Sequence, residues 1–211
     1  MKACGGRYAW DQTRFLRWTF FNRRSLVWDK KEERVRIDFL DQPLKIFVNL
    51  KNTTGRVWKD GKEMTEPDSI KKYVERGKNV WINDSYWFVM PFKLKDSGVT
   101  LKYVGKKSNT VGGESDVIEL TFKNVGVTPD NKYHIYINPS SKLITQWDFF
   151  KNYSDEKPQF SNPWQDYRAL GNILLSVSRG EGRTMIPMGV YNKLPDSVFT
   201  TPVNINWIGL K

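Results

Sequence analysis

Apolar and polar residues alternate along the first sixty positions. Leu16, Trp18 and Phe20 fall on one side of an extended chain, as do Val35, Ile37 and Phe39, and then Leu44, Ile46, Val48 and Leu50. Successive side chains of a strand point to opposite faces, so each run predicts a half-buried strand. Ser25 to Asp29 follows the turn at Asn22-Arg23-Arg24 as a further segment. The stretch from Gly55 ends in Asp60-Gly61, a pair suited to the positive φ of a hairpin turn. The segments arrive roughly every ten residues, the spacing of an antiparallel meander.

The period changes at Pro67. From there to Arg76 the chain has Pro and Asp in a first turn and Ile70, Tyr73 and Val74 on one helical face, and Gly77 reads as a C-cap. A second helix is predicted over 79–90, where Trp81, Tyr86, Trp87 and Met90 recur at helical spacing. Pro91 should end it, because its ring removes a donor and clashes with the preceding turn. Strands resume at 99–104 and 116–123, and 124–131 reads as a turn region. Lys132 to Ile137 and Leu143 to Phe150 form a hairpin around 138–141. The stretch 154–165, with Pro158 and Pro163, reads as a loop, and 166–178 and 184–193 as the strands that close the sheet. Pro195 to Pro202 reads as a short cap, and residues 1–13 as the remainder of a truncated N-terminal helix. The expected fold is mainly β (α+β), one domain over 1–211: a curved, half-open antiparallel barrel wrapped around helices at 67–77 and 79–90. A lone apolar helix among half-buried strands has to bury its face against their sheet.

Composition turns this shell into a candidate container. Of 211 residues 39% are hydrophobic, with nine Trp, nine Tyr and twelve Phe. Large aromatics either fill a core or line a pocket. A helix plugging an apolar, curved sheet favours a cavity, of about 300–1,000 Å³ if it takes one acyl chain. Its expected lining is Trp18, Phe20, Ile37, Phe39, Trp81, Trp87, Met90 and Phe92. The net charge is +11, from 34 Lys+Arg against 23 Asp+Glu. Such a surface attracts anionic membranes and polyanions weakly. The basic residues alternate with apolar ones, however, as at Arg34-Val-Arg-Ile37, the pattern of a sheet's wet face. The strand aromatics share faces with Leu, Ile and Val, so no specific nucleic acid is expected.

Catalytic signals are thin. His134 is the single histidine and Cys4 the single cysteine. Together they make neither a disulfide nor a tetrahedral His/Cys zinc site. No Gly-x-Ser-x-Gly elbow marks a nucleophile and no phosphate-cradling loop is present. No metal or cofactor is therefore expected. Carboxylate pairs remain: Glu114 with Asp116, and Asp148 with Asp155 or Asp166. Met1-Lys-Ala-Cys4 has the look of a lipoprotein signal's end without its apolar region. The longest apolar run, Trp87 to Phe92, is too short to span a bilayer.

Four stretches carry a resemblance: Trp81 to Leu101 (WINDSYWFVMPFKLKDSGVTL), Leu120 to His134 (LTFKNVGVTPDNKYH), Pro163 to Tyr167 (PWQDY) and Pro195 to Phe199 (PDSVF). They resemble a family of uncharacterised exported proteins from Bacteroidetes-type bacteria. The order of strands and helix is similar to that of the Lol-type outer-membrane lipoprotein carriers, half-open barrels that shelter acyl chains. The resemblance implies a periplasmic or envelope-associated protein whose signal peptide is missing from this chain. The expected function is binding or carrying a lipid or lipoprotein acyl chain. A hydrolase acting on an envelope glycan or lipid through carboxylates such as Asp148 is the alternative, and weak polyanion binding a second.

Overall fold

The alternating runs of the first sixty residues form one antiparallel sheet. Its strands are β1 (Phe15–Phe20), β2 (Arg24–Asp29), β3 (Arg34–Phe39), β4 (Leu44–Asn49), β5 (Thr54–Lys59) and the two-residue β6 (Lys62–Glu63), each paired with the next. The β5–β6 turn has φ of 52° at Asp60 and 75° at Gly61, the left-handed pair that Asp-Gly accommodates. The computed structural model describes residues 1–110, 112–123, 128 and 130–210. Of the turn expected over 124–131, residues 124–127 and 129 lie outside the described residues.

The N-terminal residues expected as the remainder of a truncated helix form a 3₁₀ turn, Lys2–Cys4, and a short helix α1 (Gly6–Gln12). They belong to the core. Cys4, Ala9 and Trp10 are buried, and the Trp10 ring stacks on Phe92 at 4.7 Å.

One helix, α2 (Pro67–Lys93), replaces the two that were expected. Glu66 caps it, its carboxylate accepting from the backbone N–H groups of Asp68 and Ser69 at 3.0 and 2.6 Å. Gly77 does not end it. A Cβ at that position would lie 2.8 Å from Ile46 Cγ2 and 2.9 Å from Val48 Cγ2. The glycine is where the helix backbone rests on β4. Gly77→Ala should therefore destabilise the protein despite alanine's helix preference of about 1 kcal/mol. Overpacking against two stiff β-branched side chains costs about 1–3 kcal/mol. A lower urea midpoint at unchanged slope is the expected readout; a higher midpoint would show that the sheet yields.

Pro91 does not end the helix either. The backbone bends at Val89 (φ −117°, ψ 19°), continues through Pro91 and reaches its C-cap at Leu94. Proline has no N–H for the carbonyl four residues back, that of Trp87. Arg179 supplies the missing donor, its Nη2 meeting the Trp87 carbonyl at 2.5 Å.

The second half builds a separate five-stranded sheet from β7 (Val99–Ser108), β8 (Glu114–Phe122), β9 (Lys132–Ile137), β10 (Ile144–Phe150) and β11 (Phe160–Pro163). Its spatial order is β11-β10-β9-β8-β7. β11 arises inside the stretch expected as a loop. β12 (Gln165–Leu170) and β13 (Ile173–Ser178) form a two-stranded sheet of their own around the turn at Gly171, whose φ is 57°. The short β14 (Gly189–Tyr191) pairs with β1 at the edge of the first sheet. Every described pairing is antiparallel, and none of the sheets closes into a barrel. The single curved sheet of the sequence reading is thus three sheets.

The element they share is α2. Its N-terminal half lies against β4 and β5. Trp81 then meets Trp28 of β2 edge-on at 5.2 Å, and Phe88 stacks on Trp18 of β1 at 5.1 Å. Beyond that point the helix also enters a second core. There Met90 packs with Leu120, Ile135, Ile144, Trp147 and Trp164 of the five-stranded sheet and its continuation.

Candidate functional site

The eight residues expected to line one cavity do not lie around a common space. Trp18, Phe20, Ile37, Phe39 and Phe92 are buried in the layer between α2 and the first sheet. Phe20 meets Trp87 edge-on at 6.4 Å, and the Arg76 guanidinium covers the Phe39 ring at 4.7 Å. Met90 sits in the second core. Trp87 joins the two cores and stacks on Trp147 at 4.6 Å. Trp81 is the member that lines a described pocket. The physical reason is angular. A helix turns about 100° per residue, so Trp87 lies about 240° around from Trp81, against Phe20 and Trp147 and not in the pocket wall.

The pocket lies between α2 and the β7–β8 edge of the five-stranded sheet. Trp81, Ile82, Ser85 and Tyr86 form its helical wall, and Val99 of β7 with Phe122 of β8 the facing wall. These four helix positions share one face because their spacing is one, four and five residues. The volume is about 180 Å³ and the lining is mainly apolar. Its charged residues are Lys93 and Asp96, which pair with each other at 3.0 Å. A cavity of about 150 Å³ lined by apolar side chains takes up benzene. This pocket has a similar volume but is open to solvent, and it is smaller than the space expected for a whole acyl chain.

Two polar atoms of the wall are unusual. The Tyr86 hydroxyl and the Trp81 indole N–H are buried and have no hydrogen-bond partner among the described residues. Burial pushes the Tyr86 phenol far up, so it stays a neutral hydroxyl. The ring is held on its far side by Trp147 and Tyr133.

The carboxylates expected as pairs have separate partners. Glu114 pairs with Lys106 at 2.9 Å, and Asp116 accepts from the Tyr103 hydroxyl at 3.1 Å. Asp155 accepts from the Asn152 backbone at 2.9 Å, and Asp166 is exposed on β12. Asp148 is buried. Its two oxygens accept from the Tyr136 hydroxyl at 2.8 Å and the Gln146 amide at 2.6 Å. What the sequence did not reveal is its neighbour. Glu119, His134 and Asp148 lie directly opposite one another across β8, β9 and β10. His134 Nε2 is 3.4 Å from Glu119. Burial, helped by Lys107, lowers the imidazole and outweighs its two acidic neighbours. Among the described residues no group of three His, Cys, Asp or Glu has an arrangement that could hold a metal ion.

Much of the positive charge is engaged. The outer face of the first sheet is crossed by a strap around the short helix α3 (Ser197–Thr200). Buried Arg36 donates to the carbonyls of Val198, Thr201 and Val203 at 2.9–3.2 Å. Lys45 reaches Pro202, Arg56 reaches Thr200, and Arg34 pairs with Asp196. These side chains alternate with apolar ones in sequence because they serve this second, smaller interface. Cys4 is equally committed. It is 2% exposed, and burial raises its thiol.

The chain matches no protein-family model and no curated protein. Among the described residues no helix is long and apolar enough to cross a membrane.

Proposed function

We propose that this protein binds the apolar part of a small amphipathic ligand, the end of an acyl chain or a ring of similar size, in the pocket beside α2. The observation that carries the reading is a mainly apolar cleft of about 180 Å³ whose charged lining residues, Lys93 and Asp96, pair with each other. Pockets for small molecules combine apolar walls with few polar groups in this way. The resemblance to exported envelope proteins adds the setting, a periplasmic or envelope-associated binding or carrier protein handling lipid or lipoprotein acyl groups. An open antiparallel sheet with a helix laid on it supports the likeness to the lipoprotein carriers at the level of fold, and fold alone does not fix a ligand.

Sodium octanoate, used below its micellar range, tests the reading. Titration should change tryptophan fluorescence saturably, because Trp81 lines the pocket. Val99→Trp, which fills the cleft from β7, should remove the response and leave the far-ultraviolet spectrum unchanged. A response that never saturates, or one that survives Val99→Trp, would leave the pocket without this role.

A further inference from the structure

Around the hairpin at 178–184 the molecule gathers hydrogen-bond donors that have no acceptor. Arg179 Nε, Trp164 Nε1, Trp147 Nε1 and Asn162 Nδ2 are all buried and have no partner among the described residues. They are neighbours. The Arg179 guanidinium lies 3.3 Å over the Trp164 ring, and Trp164 stacks on Trp147 at 5.4 Å. Trp147 sits directly opposite Asn162 across β10 and β11. The exposed Arg183 donates from Nη1 to Asn162 Oδ1 at 2.6 Å, which makes the amide's NH₂ its unpaired end.

Buried polar groups are nearly always paired, and an orphaned one points to an unseen partner. Here every orphan is a donor. The remaining Arg179 contacts are neutral acceptors: the Trp87, Ser176 and Ser178 carbonyls and the Ser176 hydroxyl. Among the described residues neither Arg179 nor Arg183 has a carboxylate within pairing distance. Two guanidinium groups, one of them with an unpaired Nε–H, thus stand beside three further unpaired N–H groups, with no carboxylate paired to either guanidinium among the described residues.

We propose that this cluster is an oxyanion site, taking a phosphate or carboxylate group between Arg183 and the Asn162 amide, with the Trp147 and Trp164 indoles and Arg179 behind it. Guanidinium and N–H donors form their strongest hydrogen bonds with such groups. Arg183 is the solvent-exposed member of the cluster. Phe160, 39% exposed, stands two residues before Asn162 on the same strand face, and Trp87 stacks on both Phe160 and Trp147. An apolar group attached to the anion therefore meets an aromatic wall. None of its residues lines the octanoate pocket, from which the Tyr86 ring, packed edge-on against Trp147 at 5.8 Å, separates it.

The test is a ¹H–¹⁵N spectrum of the whole chain titrated at constant ionic strength with sodium phosphate and, separately, with monomeric octyl phosphate. The indole N–H signals of Trp147 and Trp164 and the Asn162 side-chain amide should shift saturably with at least one of the two. Octyl phosphate binding tighter identifies the head group of an amphiphile; equal binding identifies a free anion. Arg183→Gln should weaken binding roughly tenfold, the loss of one charge-assisted contact, while the Trp18 indole signal confirms an intact fold. Silence at all three reporters, drift spread over exposed lysines without saturation, or identical shifts in Arg183→Gln would overturn the assignment and leave the orphans to water.

Discussion

Arg24→Leu should destabilise the protein by about 3–5 kcal/mol at neutral pH, the cost of leaving a buried charge without its partner. Asp84 sits in the middle of α2 with its side chain fully buried, and Arg24 of β2 grips both its oxygens, at 2.8 and 3.1 Å. Asn83 adds a third donor at 2.9 Å. Burial already raises the Asp84 carboxyl, and the Arg24 contacts oppose that rise without cancelling it. Removing Arg24 leaves burial with less opposition, so the folded-state pKa rises further. The sign of the pH effect follows. An acid whose folded pKa lies above its unfolded value binds more protons when folded, so stability falls as pH rises between the two. The loss in Arg24→Leu should therefore be smallest near pH 4 and grow towards neutrality. Arg24→Leu combined with Asp84→Leu should recover most of it, because two apolar groups of similar volume replace the pair. Urea denaturation at several pH values reads all three results. A loss independent of pH would assign the effect to packing of Arg24 on Phe20, whose ring it covers at 5.0 Å.

Trp18→Ala should cost about 3–5 kcal/mol, the range for emptying a fully buried aromatic position. The side chain is 0% exposed and stacked on Phe88, so neither β1 nor α2 has a mobile group to fill the space. Trp18→Phe makes the informative contrast. The Trp18 indole N–H is buried with no partner among the described residues. An unsatisfied donor costs about 1–3 kcal/mol, which the phenylalanine variant recovers while giving up part of the ring contact. The variant should stay within about 2 kcal/mol of the parent by these opposing amounts. A loss as large as that of alanine would mean that a water occupies the indole's vicinity in solution.

The strands of the first sheet were legible because one face is buried and the other is not, so the chain itself carries a period of two. Lys132–Ile137 was legible to the residue for the same reason. The failures share a different cause. Gly77 and Pro91 are local signals for a helix end, and tertiary contacts override both: β4 requires a helix without a side chain at 77, and Arg179 replaces the donor that Pro91 lacks. No pattern within 67–93 contains an arginine eighty-six residues beyond the end of that range. β11 carries Pro163 and is short, which hides an edge strand from alternation. The eight lining candidates are large and apolar, properties shared by core and pocket alike. The helical repeat of Trp81, Ile82, Ser85 and Tyr86 was present in the sequence. Nothing there marked which face of α2 would remain open, because that depends on how β7 and β8 approach it.

Isotope-edited nuclear Overhauser measurements on the protein with saturating ¹³C-labelled octanoate test the binding claim most directly. Contacts from the ligand methylenes to the Val99 methyls and to the Tyr86 and Phe122 rings are the predicted result. Contacts confined to exposed apolar side chains such as Val203 and Ile208, which are 69% and 89% exposed, or none at all, would contradict it.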